Sequence, residues 1–123
     1  MTDFPEDLYG GNPILYAEIE EAARIPGRRF AIDTSGHPRG LELGLEKAWS
    51  IDDLRREPGV KVEELPPYSL LVITENEERP RFWLFECDET FKHMSDSQHE
   101  TLGEAKLQAR MIYGDVSWRE VPQ

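Results

Sequence analysis

Residues 68–87 read YSLLVITENEERPRFWLFEC, and this stretch decides the fold. Two apolar runs, Leu70–Ile73 and Phe82–Phe85, flank the polar segment Glu75-Asn76-Glu77-Glu78-Arg79-Pro80. Branched and aromatic residues favour strands, and a Pro-containing polar break favours a loop. The reading is an antiparallel hairpin with strands Tyr68–Thr74 and Arg81–Cys87. Neither strand alternates cleanly. Both are apolar on two faces, as in a central strand covered on both sides. Few helices are in prospect, so a partner protein is the alternative cover for one face.

Downstream, Asp88–Glu100 is polar and reads as a loop. Thr101-Leu102-Gly103-Glu104 is a capping box, with Thr at the cap and Glu three residues later. The helix it opens runs to Tyr113 and stops at Gly114. Its core stripe is Leu102, Ala105, Ala109, Ile112 and Tyr113. Leu107 and Met111 lie one turn apart on the opposite side. Trp118–Val121 is a last strand.

Upstream, Val60–Leu65 reads as a strand after a stop at Pro58-Gly59. Ser50 opens a short helix, Ile51–Glu57, with Asp53 in a loose capping box. Residues 41–49 fit a strand or a helix, because Leu41, Leu43 and Leu45 alternate while Leu41, Leu45 and Ala48 share a helical face. Phe30–Asp33 is a short strand, followed by a turn at 34–40. Asn12-Pro13 suits a helix start, and Leu15, Ile19, Ala22 and Ala23 recur at helical spacing. A helix is therefore expected from Pro13 to about Arg24. Residues 1–12 are acidic and contain glycine, and are expected to form a loose arm. The predicted whole is a single α+β domain over 1–123. Its mostly antiparallel sheet is centred on the hairpin at about 68–88, with N-terminal, middle and C-terminal helices packed on it.

The chain is 123 residues long with 25 Asp and Glu against 14 Lys and Arg, a formal charge of −11. At this length folding buries roughly two thirds of the unfolded surface, enough for a core. Three Trp, four Tyr and five Phe supply its anchors. The acidity repels phosphate backbones and attracts basic proteins, so nucleic acid is not an expected partner. The apolar runs are too short for a bilayer, and the start MTDFPEDLYGGNP lacks the pattern of a secretory signal. One cysteine, Cys87, makes no internal disulfide. A cytoplasmic protein is the expectation.

No spacing identifies a reaction. Ala31-Ile32-Asp33-Thr34-Ser35-Gly36 resembles the aspartic protease element, an apolar pair followed by Asp-Thr-Gly or Asp-Ser-Gly. Ser35 displaces the glycine by one position, and the downstream apolar strand that completes such a site is missing. Strand-to-turn transition is the simpler reading. Cys87, His93 and His99 are six apart, whereas zinc ligands come in close pairs, and His37 is distant. Asp88 and Glu89 next to Cys87 oppose the thiolate that a nucleophile needs. Neighbouring carboxylates such as Glu63-Glu64 point to opposite faces of a strand. The readings are no enzyme, no cofactor and no metal.

What remains is surface. Acid is distributed along the chain, and it steers encounter with a basic partner. The expected contact set is Glu75, Glu77, Glu78, Asp88 and Glu89 for encounter, with Trp83 or Phe85 buried afterwards. Leu107 and Met111 form a second candidate patch for a protein or a second copy of the chain. Size, acidity and the lack of a catalytic motif are similar in kind to bacterial immunity and antitoxin-type inhibitors. No motif is shared, and no residue role follows from that likeness. Two rival expectations are a ligand pocket lined by Trp49, Tyr68 and Phe82, and a homodimer with a scaffold role.

Overall fold

β4, Leu70–Glu75, is the middle strand of the main sheet, with β1, Asn12–Glu18, on one side and β5, Phe82–Cys87, on the other. Both pairings are antiparallel. The computed structural model describes residues 4–40, 42, 49–91 and 95–122. Within these the sheet has five strands, ordered β6-β5-β4-β1-β7, where β6 is Ser95–His99 and β7 is Arg119–Glu120. The chain packs as two units, Met1–Ile25 with Tyr68–Gln123, and Pro26–Pro67.

The first unit is built on the two-faced hairpin. Leu71, Ile73 and Leu84 point to one face and pack with Ala17 of β1 and with Ile19 just after it. The helix α1, Ile51–Arg56, belongs to the second unit; α2, Leu102–Tyr113, covers this face through Ala105, Ala109 and Tyr113. Leu70, Val72, Phe85 and Cys87 point to the other face. That face is covered by the chain itself: Leu8 is buried on it, with Phe4 and Phe91 packed alongside. The hairpin is thus covered on both sides by the chain itself, and the alternative of a partner over one face is not needed for its burial.

The N-terminal helix expected at Pro13–Arg24 is not formed. Asn12–Glu18 is a strand, followed by a single 3-10 turn at Glu21–Ala23. Leu15, Ala17 and Ile19 satisfy a period of two as well as Leu15 and Ile19 satisfy a helical period. The tie is broken by β4, whose free edge needs hydrogen-bond partners. β1 supplies them from Asn12↔Glu75 to Glu18↔Leu70. Pro13 has no N–H to donate and lies where the register shifts, the place a strand tolerates it. Among the described residues there are therefore two α-helices, not three. The fold class is α+β with a mostly antiparallel sheet.

The polar stretch read as a loop contains β6, which pairs with β5 from Phe82↔His99 to Glu86↔Ser95. As a half-exposed edge strand it needs no apolar run. Residues 41 and 43–48, where strand and helix competed, lie outside the described residues.

The second unit pairs β2, Phe30–Asp33, with β3, Lys61–Glu64. Ser50 caps α1, its hydroxyl accepting from the Asp53 amide at 3.0 Å. The turn after β2 meets the turn before β3. His37 Nε2 lies 3.2 Å from Glu57 Oε2. Gly59 has φ +79°, and a Cβ there would stand 2.0 Å from the Gly36 carbonyl oxygen.

Candidate functional site

The register Asn12↔Glu75↔Phe82 places the start of β1, the end of β4 and the start of β5 side by side. The two connections at this end of the sheet therefore meet. One is the hairpin loop 76–80, closed by the Asn76 amide donating to the Arg81 carbonyl at 2.7 Å. The other is a two-residue turn between Leu8 and Gly11, whose amides and carbonyls exchange bonds at 2.9 and 3.1 Å. Tyr9 (φ 51°) and Gly10 (φ 84°) form it, the pair of positive φ angles that a tight hairpin turn requires.

Between turn and loop runs a groove of about 530 Å³. Its carboxylates are Glu6, Asp7, Glu75, Glu77 and Glu78, against one guanidinium, Arg79. Tyr9 and Trp83 are its aromatic members. Both rings lie nearly parallel to Phe85, at centroid distances of 5.8 and 6.0 Å. The Trp83 indole N–H donates to the Pro80 carbonyl at 3.3 Å, which holds the ring to the loop. Glu75 is engaged by Arg81 at 2.9 Å, and Arg79 lies 3.9 Å from Glu100. Thr74 Oγ1 and Asn76 Oδ1 are buried and have no hydrogen-bond partner among the described residues. Both converge on Gly11 in the groove wall, where an added Cβ would stand 2.6 Å from the first and 2.4 Å from the second.

Of the contact residues expected from the sequence, Glu75, Glu77, Glu78 and Trp83 come together here. Phe85 does not reach the surface. It is 1% exposed and supports Tyr9 and Trp83 from below. Asp88 and Glu89 follow the other end of β5, one strand length away, roughly 15–20 Å. Asp88 there accepts from the Thr90 amide at 2.7 Å and hydroxyl at 2.6 Å, closing a turn. Closeness in sequence joined these acids to the groove set; the extended strand separates them.

Glu6, Asp7, Tyr9 and Asn76 were not anticipated. The legible signal was Tyr9-Gly10-Gly11 before a strand, a turn composition that reads differently before a helix. Leu107 and Met111 are 54% and 75% exposed on the outer side of α2. Leu107 borders a shallow depression with Val116 and Trp118, apart from the acidic groove.

The other candidates disperse. Cys87 is buried at one end of β5, while His99 pairs opposite Phe82 at the other end and bonds Ser97 at 2.8 Å. His93 lies outside the described residues. Among the described residues no three His, Cys, Asp or Glu side chains converge as a metal would need. Asp33 is fully exposed. Its carboxyl is held below the usual Asp range, first by the Ser35 hydroxyl, then by the Ser35 amide and by Lys61. Tyr68 is buried in the core of the first unit, and Phe82 packs on that core from the other end of the hairpin. No helix of the described residues is long and apolar enough to cross a membrane.

No family model matches the chain, and no curated protein or solved structure matches it.

Proposed function

We propose that this protein is a non-enzymatic cytoplasmic binding domain that docks a basic surface of another protein through the groove between the Leu8–Gly11 turn and the 76–80 loop. The observation that carries this reading is five carboxylates and two aromatic rings lining one groove against a single guanidinium. Concentrated negative potential speeds encounter with a cationic face. Aromatic side chains then supply apolar area at little cost in lost rotamer freedom, as binding anchors do. Tyr9 and Trp83 take the anchor role, and Phe85 fixes them from within. In its narrower form the partner is an enzyme whose basic working surface the domain masks, as an immunity-type inhibitor does.

The test is capture of partners from the native host, using the wild-type chain and an E77K/E78K variant in parallel. The expected result is a basic protein retained by the wild type, absent from the variant and released as salt rises from 50 to 500 mM. Equal retention by both chains, or an acidic partner held through high salt, overturns the proposal.

A further inference from the structure

We infer that the groove receives an arginine side chain of the partner, its guanidinium laid on Tyr9 and bonded by the surrounding carboxylates. The inference rests on the docking reading above and narrows it to one chemistry. Two features select it.

The first is an open aromatic face. Tyr9 is 74% exposed although its ring stacks on Phe85, so one side is supported and the rest is offered to solvent. A planar cation stacks on such a face; a compact, strongly hydrated ammonium gains less from it. The second is uncommitted charge. Arg81 engages Glu75, but among the described residues no ion pair engages Glu6, Asp7, Glu77 or Glu78. Two or more carboxylates around one cation suit a fork of donors better than a point charge.

Arg79 lines the same groove and opposes a second guanidinium. It is 86% exposed and lies 3.9 Å from Glu100, outside the groove set, which leaves room for a ligand cation. Its removal therefore strengthens binding.

The experiment is an NMR titration of the full chain with acetyl-Gly-Arg-Gly-amide and with its lysine and citrulline counterparts. The Trp83 indole, the Asn76 side-chain amide and the Tyr9 backbone report. The expected result is saturable shifts at all three with the arginine peptide. Its Kd should lie at least five-fold below that of the lysine peptide, with no saturation by citrulline, whose shape is the same but uncharged. E77Q/E78Q should weaken the arginine peptide at least ten-fold, and R79A should tighten it two- to five-fold. Equal binding of lysine and arginine overturns the choice of guanidinium while leaving a basic partner in place. Citrulline binding as well as arginine overturns the role of charge. If the arginine peptide moves none of the three reporters, the side-chain site is refuted, and the capture experiment alone then decides the docking proposal.

Discussion

Tyr9 is held at φ 51°, a backbone region that costs a residue with a side chain about 1–2 kcal/mol. Its stacking on Phe85 returns about 0.5–1.5 kcal/mol. The two nearly cancel, so Tyr9 adds little net stability at this position. Tyr9→Asn, which tolerates the left-handed region, should change unfolding free energy in urea by less than about 1 kcal/mol. The same substitution should abolish binding of the arginine peptide. A stability loss well above that would make Tyr9 a structural residue and count against its role as anchor. Asp33 shows the opposite case, a perturbed group with a local cause. Ser35→Ala removes the largest stabiliser of its carboxylate, so the Asp33 titration midpoint, read by carboxyl NMR, should rise toward 3.8. Because the folded value is depressed, any stability from this group is present above pH 3.8 and lost as pH falls through the folded value. Full exposure keeps that contribution small.

At the scale of elements, α2 is defined by its ends and by one buried contact. Thr101 caps it by accepting from the Glu104 amide at 3.1 Å, while the Glu104 carboxylate accepts from the Glu100 amide at 3.1 Å. Thr101→Ala should therefore lower stability by about 1 kcal/mol. At the far end the Tyr113 hydroxyl donates to Glu86, a carboxylate only 5% exposed on β5. Tyr113→Phe removes that donor from a buried acceptor and should cost about 1–3 kcal/mol in a urea or thermal unfolding measurement. An unchanged midpoint would mean that Glu86 is satisfied without the phenol. In the second unit the limiting contact is backbone on backbone. Gly59→Ala adds a methyl 2.0 Å from the Gly36 oxygen at a φ of +79°, and neither atom sits on a flexible side chain. A loss of roughly 2 kcal/mol or more follows, read as early loss of amide-exchange protection across β2 and β3.

For the whole molecule, a net charge of −11 in 123 residues makes any association with a basic partner sensitive to ionic strength. The on-rate should fall by an order of magnitude or more between 50 and 500 mM salt, while dissociation changes less. Location of the charge matters as much as its amount. E77K/E78K should slow association far more than the same reversal at Asp88 and Glu89, on the opposite end of β5. Met111→Glu on α2 should leave peptide binding unchanged. If the two charge reversals slow association equally, net charge alone governs it and the groove has no special part.

Local chemistry is what a single sequence carries, and the elements that depend on it were legible. The hairpin, the Thr101 cap, the Ser50 cap and the separate strands at Phe30–Asp33 and Lys61–Glu64 each follow from residues close together in the chain. The groove was half legible for the same reason: Glu75, Glu77, Glu78 and Trp83 belong to one hairpin. What only the tertiary structure decided was pairing at a distance. Asn12–Glu18 satisfies a helix or a strand by its own pattern, and the open edge of β4, more than fifty residues away, made it a strand. That single pairing delivers Glu6, Asp7 and Tyr9 to the hairpin loop and completes the groove. Periodicity records which face a residue turns inward, but not which edge of a distant strand lacks its hydrogen bonds.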